Sequence, residues 1–375
     1  MTEAKAGEAG AGAASAMPDE ARRLTELLLR LCEIPSPTGE ERALCDALVE
    51  DLGRARLAGA TRRYGDSIVV PVTRGTGGPK IALVGHLDVV RTSHDGPPRV
   101  EGDRLYGPGA SDMKSGLALM LDLVQGGLTD CAGLDLTLVF YAREEGPFLE
   151  NELGPVLEAD PELGRVDLAV CMEPSDNKLS LGASGSLHAT IAFEGRTAHS
   201  ARPWQGENAI HKAGPFLVEL GARAPREVVQ DGLVYRAVTS ATMASGGRGR
   251  NVVPDVFTLN LNHRFPPGTS IEEAQREIVD LVGGRASITW TDLSPSALPH
   301  ASHPLVVALR DAGVAAVEPK QAWTDVARFA LHGVPAVNFG PGVNAQAHQR
   351  NEWTSISKLV EGQGILRRWL RSIGR

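Results

Sequence analysis

No stretch of this 375-residue chain approaches the roughly 18 consecutive apolar residues that would suggest a membrane-spanning helix, so no membrane partner is expected. Paired cysteines are missing too. Cys32, Cys45, Cys131 and Cys171 show neither disulfide nor metal-binding spacing and mostly sit in apolar runs. That predicts reduced, buried core residues in a cytoplasmic protein and argues against a Cys-type zinc site. Basic charge is in deficit: 38 Lys and Arg against 46 Asp and Glu leave a net charge of -8. This excess of acid excludes nucleic acid or an anionic membrane surface as the main partner. Residues 1–17 lack the basic start and apolar core of a signal peptide; rich in Ala and Gly, they read as a disordered tail. No internal repeat is evident, and the Arg-Gly stretch from Gly246 to Arg250 is too short for an RNA-binding tail, so it reads as a flexible loop near the substrate.

What the chain does have is acidic residues and histidines at the ends of apolar runs. Lys80 to His86 reads as a buried strand followed by His86-Leu-Asp88, whose one-residue gap turns both side chains to one face of an extended chain. Leu134 to Tyr141 is a second strand, followed by Glu144-Glu145, where adjacent side chains point apart and one can ligate while the other moves protons. Val166 to Met172 ends in Glu173-Pro174, and Val334 to Phe339 leads through Gly340-Pro-Gly342 to His348. Any one of these alone would be unremarkable surface charge or a capped turn. Repetition at four strand ends is different, because open α/β sheets place ligand sites there. So many carboxylates around two imidazoles need a cation to offset their repulsion, which points to a two-zinc hydrolase site.

Between the first two strands lies Leu105-Tyr-Gly-Pro-Gly-Ala-Ser-Asp112-Met-Lys-Ser-Gly116, a glycine-rich loop opening into a helical run that ends near Val124. A phosphate-binding loop would need Gly directly before the Lys-Ser pair, where Met113 stands. The glycines instead allow close backbone approach, so that Asp112 can bridge two ions with its two oxygens.

These motifs together resemble the aminoacylase and carboxypeptidase family of dinuclear zinc amidohydrolases, over nearly everything from about Ala21 to the C-terminus. The resemblance implies His86 and Glu173 on one Zn2+, Glu145 and His348 on the other, and Asp112 bridging, with Co2+ or Mn2+ able to substitute. It implies Glu144 as general base and Asp88 as the group that orients His86. His199, in Thr197-Ala-His199, would reach the partner's site in a homodimer and help stabilise the oxyanion. Thr197 to Pro203, Asn251-Val-Val-Pro254, His263-Arg264-Phe265 and Trp323 to Phe329 are similar to the desuccinylase branch. That branch implies hydrolysis of N-succinyl-LL-2,6-diaminopimelate to succinate and LL-2,6-diaminopimelate, on the way to lysine. For such a small anionic acyl-amino-acid substrate, Arg264 and Arg328 would supply charged forks, and Asn251, Thr324 and Asn344 neutral hydrogen bonds. An acetylornithine deacetylase, or another acyl-amino-acid hydrolase or carboxypeptidase of the family, is the alternative. Many desuccinylases carry arginines just before the Gly-Ser that opens the inserted domain, whereas Ala183-Ser184 stand here before Gly185-Ser186.

A chain this long exceeds the size at which a single core usually keeps growing, so two domains are expected. Helices are predicted over Glu20–Cys32 and Glu40–Leu52, with further strands at Ile68–Val72 and Ile81–Val84. After Glu173 the periodicity changes to the alternation of half-exposed strands at Ser186–Phe193 and Val256–Asn262, with helices at Asn208–Leu220 and Ile271–Leu281. The expected fold class is α/β: a catalytic zinc-hydrolase domain (18–182 and 296–375) with a mixed sheet flanked by helices. Into it is inserted an α+β, ferredoxin-like dimerisation domain (183–295).

Overall fold

The computed structural model describes residues 18–126 and 128–375; the expected tail at residues 1–17 lies outside the described residues. The chain forms two compact units. One comprises the described residues up to Ser180 with Ala301–Glu318 and Leu331–Arg375; the other comprises Leu181–His300 and Pro319–Ala330. The segment 319–330, which the sequence division leaves with the catalytic domain, therefore groups with the inserted one.

The first unit is built on a mixed eight-stranded sheet. In chain order its strands are β1 (Arg62–Tyr64), β2 (Ser67–Pro71), β3 (Lys80–His86), β4 (Asp135–Tyr141), β5 (Leu168–Cys171), β6 (Leu179–Leu181), β7 (Val317–Pro319) and β8 (Ala336–Asn338). Across the sheet they run β1-β2-β4-β3-β5-β8-β6-β7. β3 lies between β4 and β5 and is parallel to both, and β8 is parallel to β5. Every residue of β3 from Ile81 to His86 is buried, the unbroken apolar pattern of a strand covered on both faces. Because β3, β4, β5 and β8 all point the same way, their carboxyl ends meet at one edge, and the loops leaving that edge carry the acidic residues and histidines singled out above.

Helix α1 (Asp19–Glu33) and α2 (Arg42–Gly53) precede the sheet, α3 (Lys114–Gln125) and α4 (Leu153–Ala159) cross between its parallel strands, and α5 (Pro304–Asp311) and α6 (Ile356–Ile373) follow. α3 is buried on every side from Lys114 to Val124; its faces are mostly apolar, and its few polar side chains are taken up by partners. Its close seat on the sheet requires Gly116, since a Cβ there would stand 2.4 Å from the Met172 carbonyl oxygen. The fully buried Asp122 of α3 is held by Arg23 of α1 and by Gln363 and Arg367 of α6. Arg367 and Arg371 also reach Asp130. A carboxylate with three such partners is compensated, so the network ties both terminal helices to α3 without leaving a bare buried charge.

The second unit follows a β-α-β-β-α-β pattern: strand Gly185–Glu194, helix Ala209–Gly221, strands Leu233–Gly246 and Val256–Phe265, helix Ile271–Val282, and strand Ser287–Ser294, with Arg226–Gln230 added at an edge. Its antiparallel sheet is ordered 226–230, 233–246, 256–265, 185–194, 287–294, the ferredoxin-like arrangement once the added edge strand is set aside. Burial alternates along 185–194 and 256–265, and Leu187, Ile191, Phe193, Leu259, Leu261 and Phe265 meet Phe216 and Ile278 of the two helices in one core. Asn208 caps the first helix; Ser270 and Glu273 form a capping box on the second, which fixes both starts where the sequence places them.

Candidate active site

At the shared strand edge the separate motifs converge. His86 Nε2 lies 3.3 Å from Asp112 Oδ1, and His348 Nε2 lies 3.5 Å from Asp112 Oδ2 and 2.7 Å from Glu145 Oε1. Three overlapping groups have donor atoms within 4.8 Å of one another: His86 with Asp112 and Glu173, Asp112 with Glu145 and His348, and His86 with Glu144 and Glu145. Asp112 belongs to the first two and presents a different oxygen to each histidine. Two imidazoles among hard carboxylate oxygens, arranged as two adjoining sets, fit a pair of divalent cations.

The charge balance of the protein alone is consistent with that fit. Burial works against protonation of the His86 imidazole, yet hydrogen bonds to Asp112 and Asp88 outweigh it and hold its pKa well above the usual value. His348 is raised to about 9, chiefly by its hydrogen bond to Glu145. The carboxylates thus recruit positive charge, which protons supply in the absence of a cation.

Each loop is held by buried acceptors. The Asp88 carboxylate takes the backbone N–H of Glu144 (2.9 Å) and of Glu145 (3.0 Å) and the Thr38 hydroxyl. His86 Nδ1 is nearest the Asp88 carbonyl oxygen at 2.9 Å, with the carboxylate at 3.5 Å, so Asp88 touches both the imidazole and the Glu144-Glu145 turn. Glu41, 1% exposed, accepts the N–H groups of Gly39 and Arg143. Arg143 and His348 adopt left-handed backbone with φ of 64° and 60°, a cost of roughly 1–3 kcal/mol each that neighbouring contacts must hold in place. Gly340 has to lack a side chain, because a Cβ would stand 2.5 Å from the Glu173 carbonyl oxygen; this close approach brings the β8 loop against Glu173. Lys114 Nζ is buried beneath the Asp112 loop and donates to the carbonyls of Leu31 and Ile34 at the end of α1, where a cation is favoured.

Asn344 begins a short 3-10 helix in the first unit, on the way to His348. His199, Asn251, Arg264, Thr324 and Arg328 belong to the second unit. There Ala198-His199 pairs with Val252-Val253, directly after Asn251. His199 is exposed, and its Nδ1 accepts the Ala201 N–H, which leaves Nε2 as the protonated donor in the neutral ring. Arg264 is partly buried, and that burial lowers its pKa against an opposing pull from Asp292. Arg328, 6% exposed, pairs with Asp325 at 2.7 Å and lies over Trp323. The Thr324 hydroxyl is buried and makes no hydrogen bond among the described residues, and the same holds for Ser184.

Comparison with known proteins agrees with this geometry. A model of peptidase family M20/M25/M40 matches residues 82–372. The chain belongs to that family. A Mycobacterium tuberculosis protein provisionally named succinyl-diaminopimelate desuccinylase is 38% identical over 346 residues, covering 92% of this chain and 97% of that protein. Succinyl-diaminopimelate desuccinylase of Corynebacterium glutamicum is 35% identical over 351 residues, covering 92% and 95%. Among solved structures, a Staphylococcus aureus tripeptidase superposes with a TM-score of 0.77 at 20% identity, covering 95% of this chain and 99% of that one. A dinuclear metal-binding M20 peptidase of Bacillus subtilis does so with a TM-score of 0.67 at 15% identity, covering 94% and 98%. The chain is thus a metallo-hydrolase of the M20 family, with the expected α/β class.

Since both imidazoles hold protons above their ordinary pKa in the metal-free protein, metal uptake must expel them. Calorimetric titration of chelator-stripped protein in buffers of different ionisation enthalpy should show at least one proton released at neutral pH, and affinity should fall by about tenfold per pH unit for each proton displaced. Uptake without proton release, and with pH-independent affinity between pH 6 and 8, would contradict the arrangement.

Proposed function

We propose that this protein is a dinuclear metal amidohydrolase that removes the succinyl group from N-succinyl-LL-2,6-diaminopimelate, giving succinate and LL-2,6-diaminopimelate for lysine synthesis. The identity of 35–38% over nine-tenths of two relatives bearing that name carries the substrate assignment. The adjoining donor sets sharing Asp112 support the chemistry.

In this reading His86 and Glu173 would hold one cation and Glu145 and His348 the other, with Asp112 available to both. Two divalent ions, zinc with cobalt or manganese as substitutes, would polarise the scissile carbonyl and acidify the attacking water. Glu144 takes the proton from that water and returns it to the leaving amine. Its placement relies on the Asp88 carboxylate, which grips the Glu144 and Glu145 amides. His199 offers an N–H donor to the developing oxyanion of a partner subunit's substrate. Arg264 suits a substrate carboxylate as a partly desolvated guanidinium, and Thr324 as a buried hydroxyl with an unused donor. Arg328, already paired with Asp325, is the second proposed fork for a substrate carboxylate, and Asn251 and Asn344 are proposed to add neutral hydrogen bonds to the substrate.

A second copy of this chain is the partner we assign to the inserted unit, giving a homodimer. Residues 226–230 pair with 233–237 on one edge of the long strand, while 238–246 pair only with the strand on the other side among the described residues. Met243 on that open stretch is 71% exposed and Val218 on the adjoining helix 75%, a combination that self-pairing of the edge would cover. Sedimentation at micromolar concentration should give a dimer, and a persistent monomer would exclude it.

The deciding experiment compares kcat/KM for N-succinyl-LL-diaminopimelate and N-acetylornithine on metal-loaded protein. Strong preference for the succinyl substrate is expected; turnover of the acetyl substrate alone would keep the hydrolytic chemistry and overturn the substrate, pointing to the changed Ala183-Ser184 pair. On the preferred substrate, Glu144→Gln should retain metal and lose about 100-fold or more in kcat. Arg264→Ala should act mainly on KM and His199→Ala mainly on kcat. Near-normal turnover by Glu144→Gln would remove the assigned base.

A further inference from the structure

The Asp112 loop and the segment after His348 are 240 residues apart in sequence, and one buried side chain joins them. Glu352 is 4% exposed. Its Oε1 accepts the backbone N–H of Ser111 at 2.7 Å and of Asp112 at 2.8 Å, and its Oε2 accepts that of Gly109 at 3.1 Å. Its own carbonyl takes the Gly107 N–H. Next to it Trp353 pairs with Tyr106 and receives the Ser111 hydroxyl, which in turn accepts the Val343 N–H.

We infer that Glu352 is a positioning residue for the metal pair: its carboxylate fills the concave set of amides beneath the Asp112 loop and so fixes where Asp112 stands relative to His348. The inference rests on the dinuclear reading above. Nearby amides that converge on one point bind an anion well and are costly to leave without an acceptor in a buried setting. Here the acceptor is an internal side chain and lies four residues after His348. The same side chain therefore sets the loop carrying the shared ligand and the segment carrying a histidine, and a displacement of either would separate the second donor set. Groups that hold ligands from behind typically change metal affinity by about 10–100-fold when removed.

Glu352→Gln tests this directly, since the amide keeps the shape and one acceptor but turns N–H groups toward the loop's own donors. Metal-free unaltered protein and variant are titrated with Co2+, following stoichiometry, affinity and the visible absorption bands, with near-UV circular dichroism and Tm of the metal-free forms measured alongside. The expected result is two cobalt ions on the unaltered protein, and in the variant a roughly tenfold or greater loss of affinity at one position with altered bands. Two ions bound with unchanged affinity and spectrum would overturn the inference, whatever happens to Tm, because a merely structural role lowers Tm alone. Fewer than two ions on the unaltered protein would remove the dinuclear reading and this inference with it. Should Glu352→Gln lack the native near-UV signal, Glu352→Asp, which keeps the charge and withdraws it by one methylene, decides by the same criteria.

Discussion

Mutual repulsion among carboxylates gathered at one sheet edge is the constraint around which the first unit is organised. Asp112, Glu144, Glu145 and Glu173 lie with His86 and His348 in overlapping groups of a few ångströms. Left alone, such a cluster draws protons onto its imidazoles, as the raised pKa values of both histidines show. Divalent cations satisfy the same demand with charge that stays in place at neutral pH and that polarises a bound carbonyl. The chemistry follows from having to hold like charges together.

Holding them requires a rigid frame, and the frame is largely backbone hydrogen bonding to buried acids. Asp88 grips the Glu144-Glu145 turn, Glu41 grips Arg143 just before it, and Glu352 grips the Asp112 loop. These three carboxylates lie around the donor set and fix its geometry from behind, while close contacts at Gly116 and Gly340 press α3 and the β8 loop against the end of β5. Parallel strands contribute the direction: four carboxyl ends face one edge, so residues far apart in sequence arrive together.

Much of this was legible in the sequence because the informative signals are local. Unbroken apolar runs ending in His86 or Glu173 announce buried parallel strands, and the alternation at 185–194 and 256–265 announces a half-exposed sheet. The helices placed at Asn208–Leu220 and Ile271–Leu281 follow from apolar periodicity, and in the structure Asn208 and Ser270 cap them. The strands at 226–230, 233–246 and 287–294 escaped because they are polar or exposed along much of their length, so no apolar run announces them. Glu41 and Glu352 escaped for a different reason. Their partners are backbone amides, which leave no residue-type signature, so an acid following Asn351 resembles surface charge until the loop folded over it is seen. The segment 319–330 carries Thr324 and Arg328 and clusters with the inserted unit, a long-range return that no local pattern encodes.

The most direct test of a shared two-metal centre is anomalous diffraction at the zinc edge from crystals of zinc-loaded protein. The account predicts two peaks a few ångströms apart on either side of Asp112, one beside His86 and Glu173 and the other beside Glu145 and His348. A single peak at this edge of the sheet under saturating zinc, or two peaks without Asp112 between them, would contradict it.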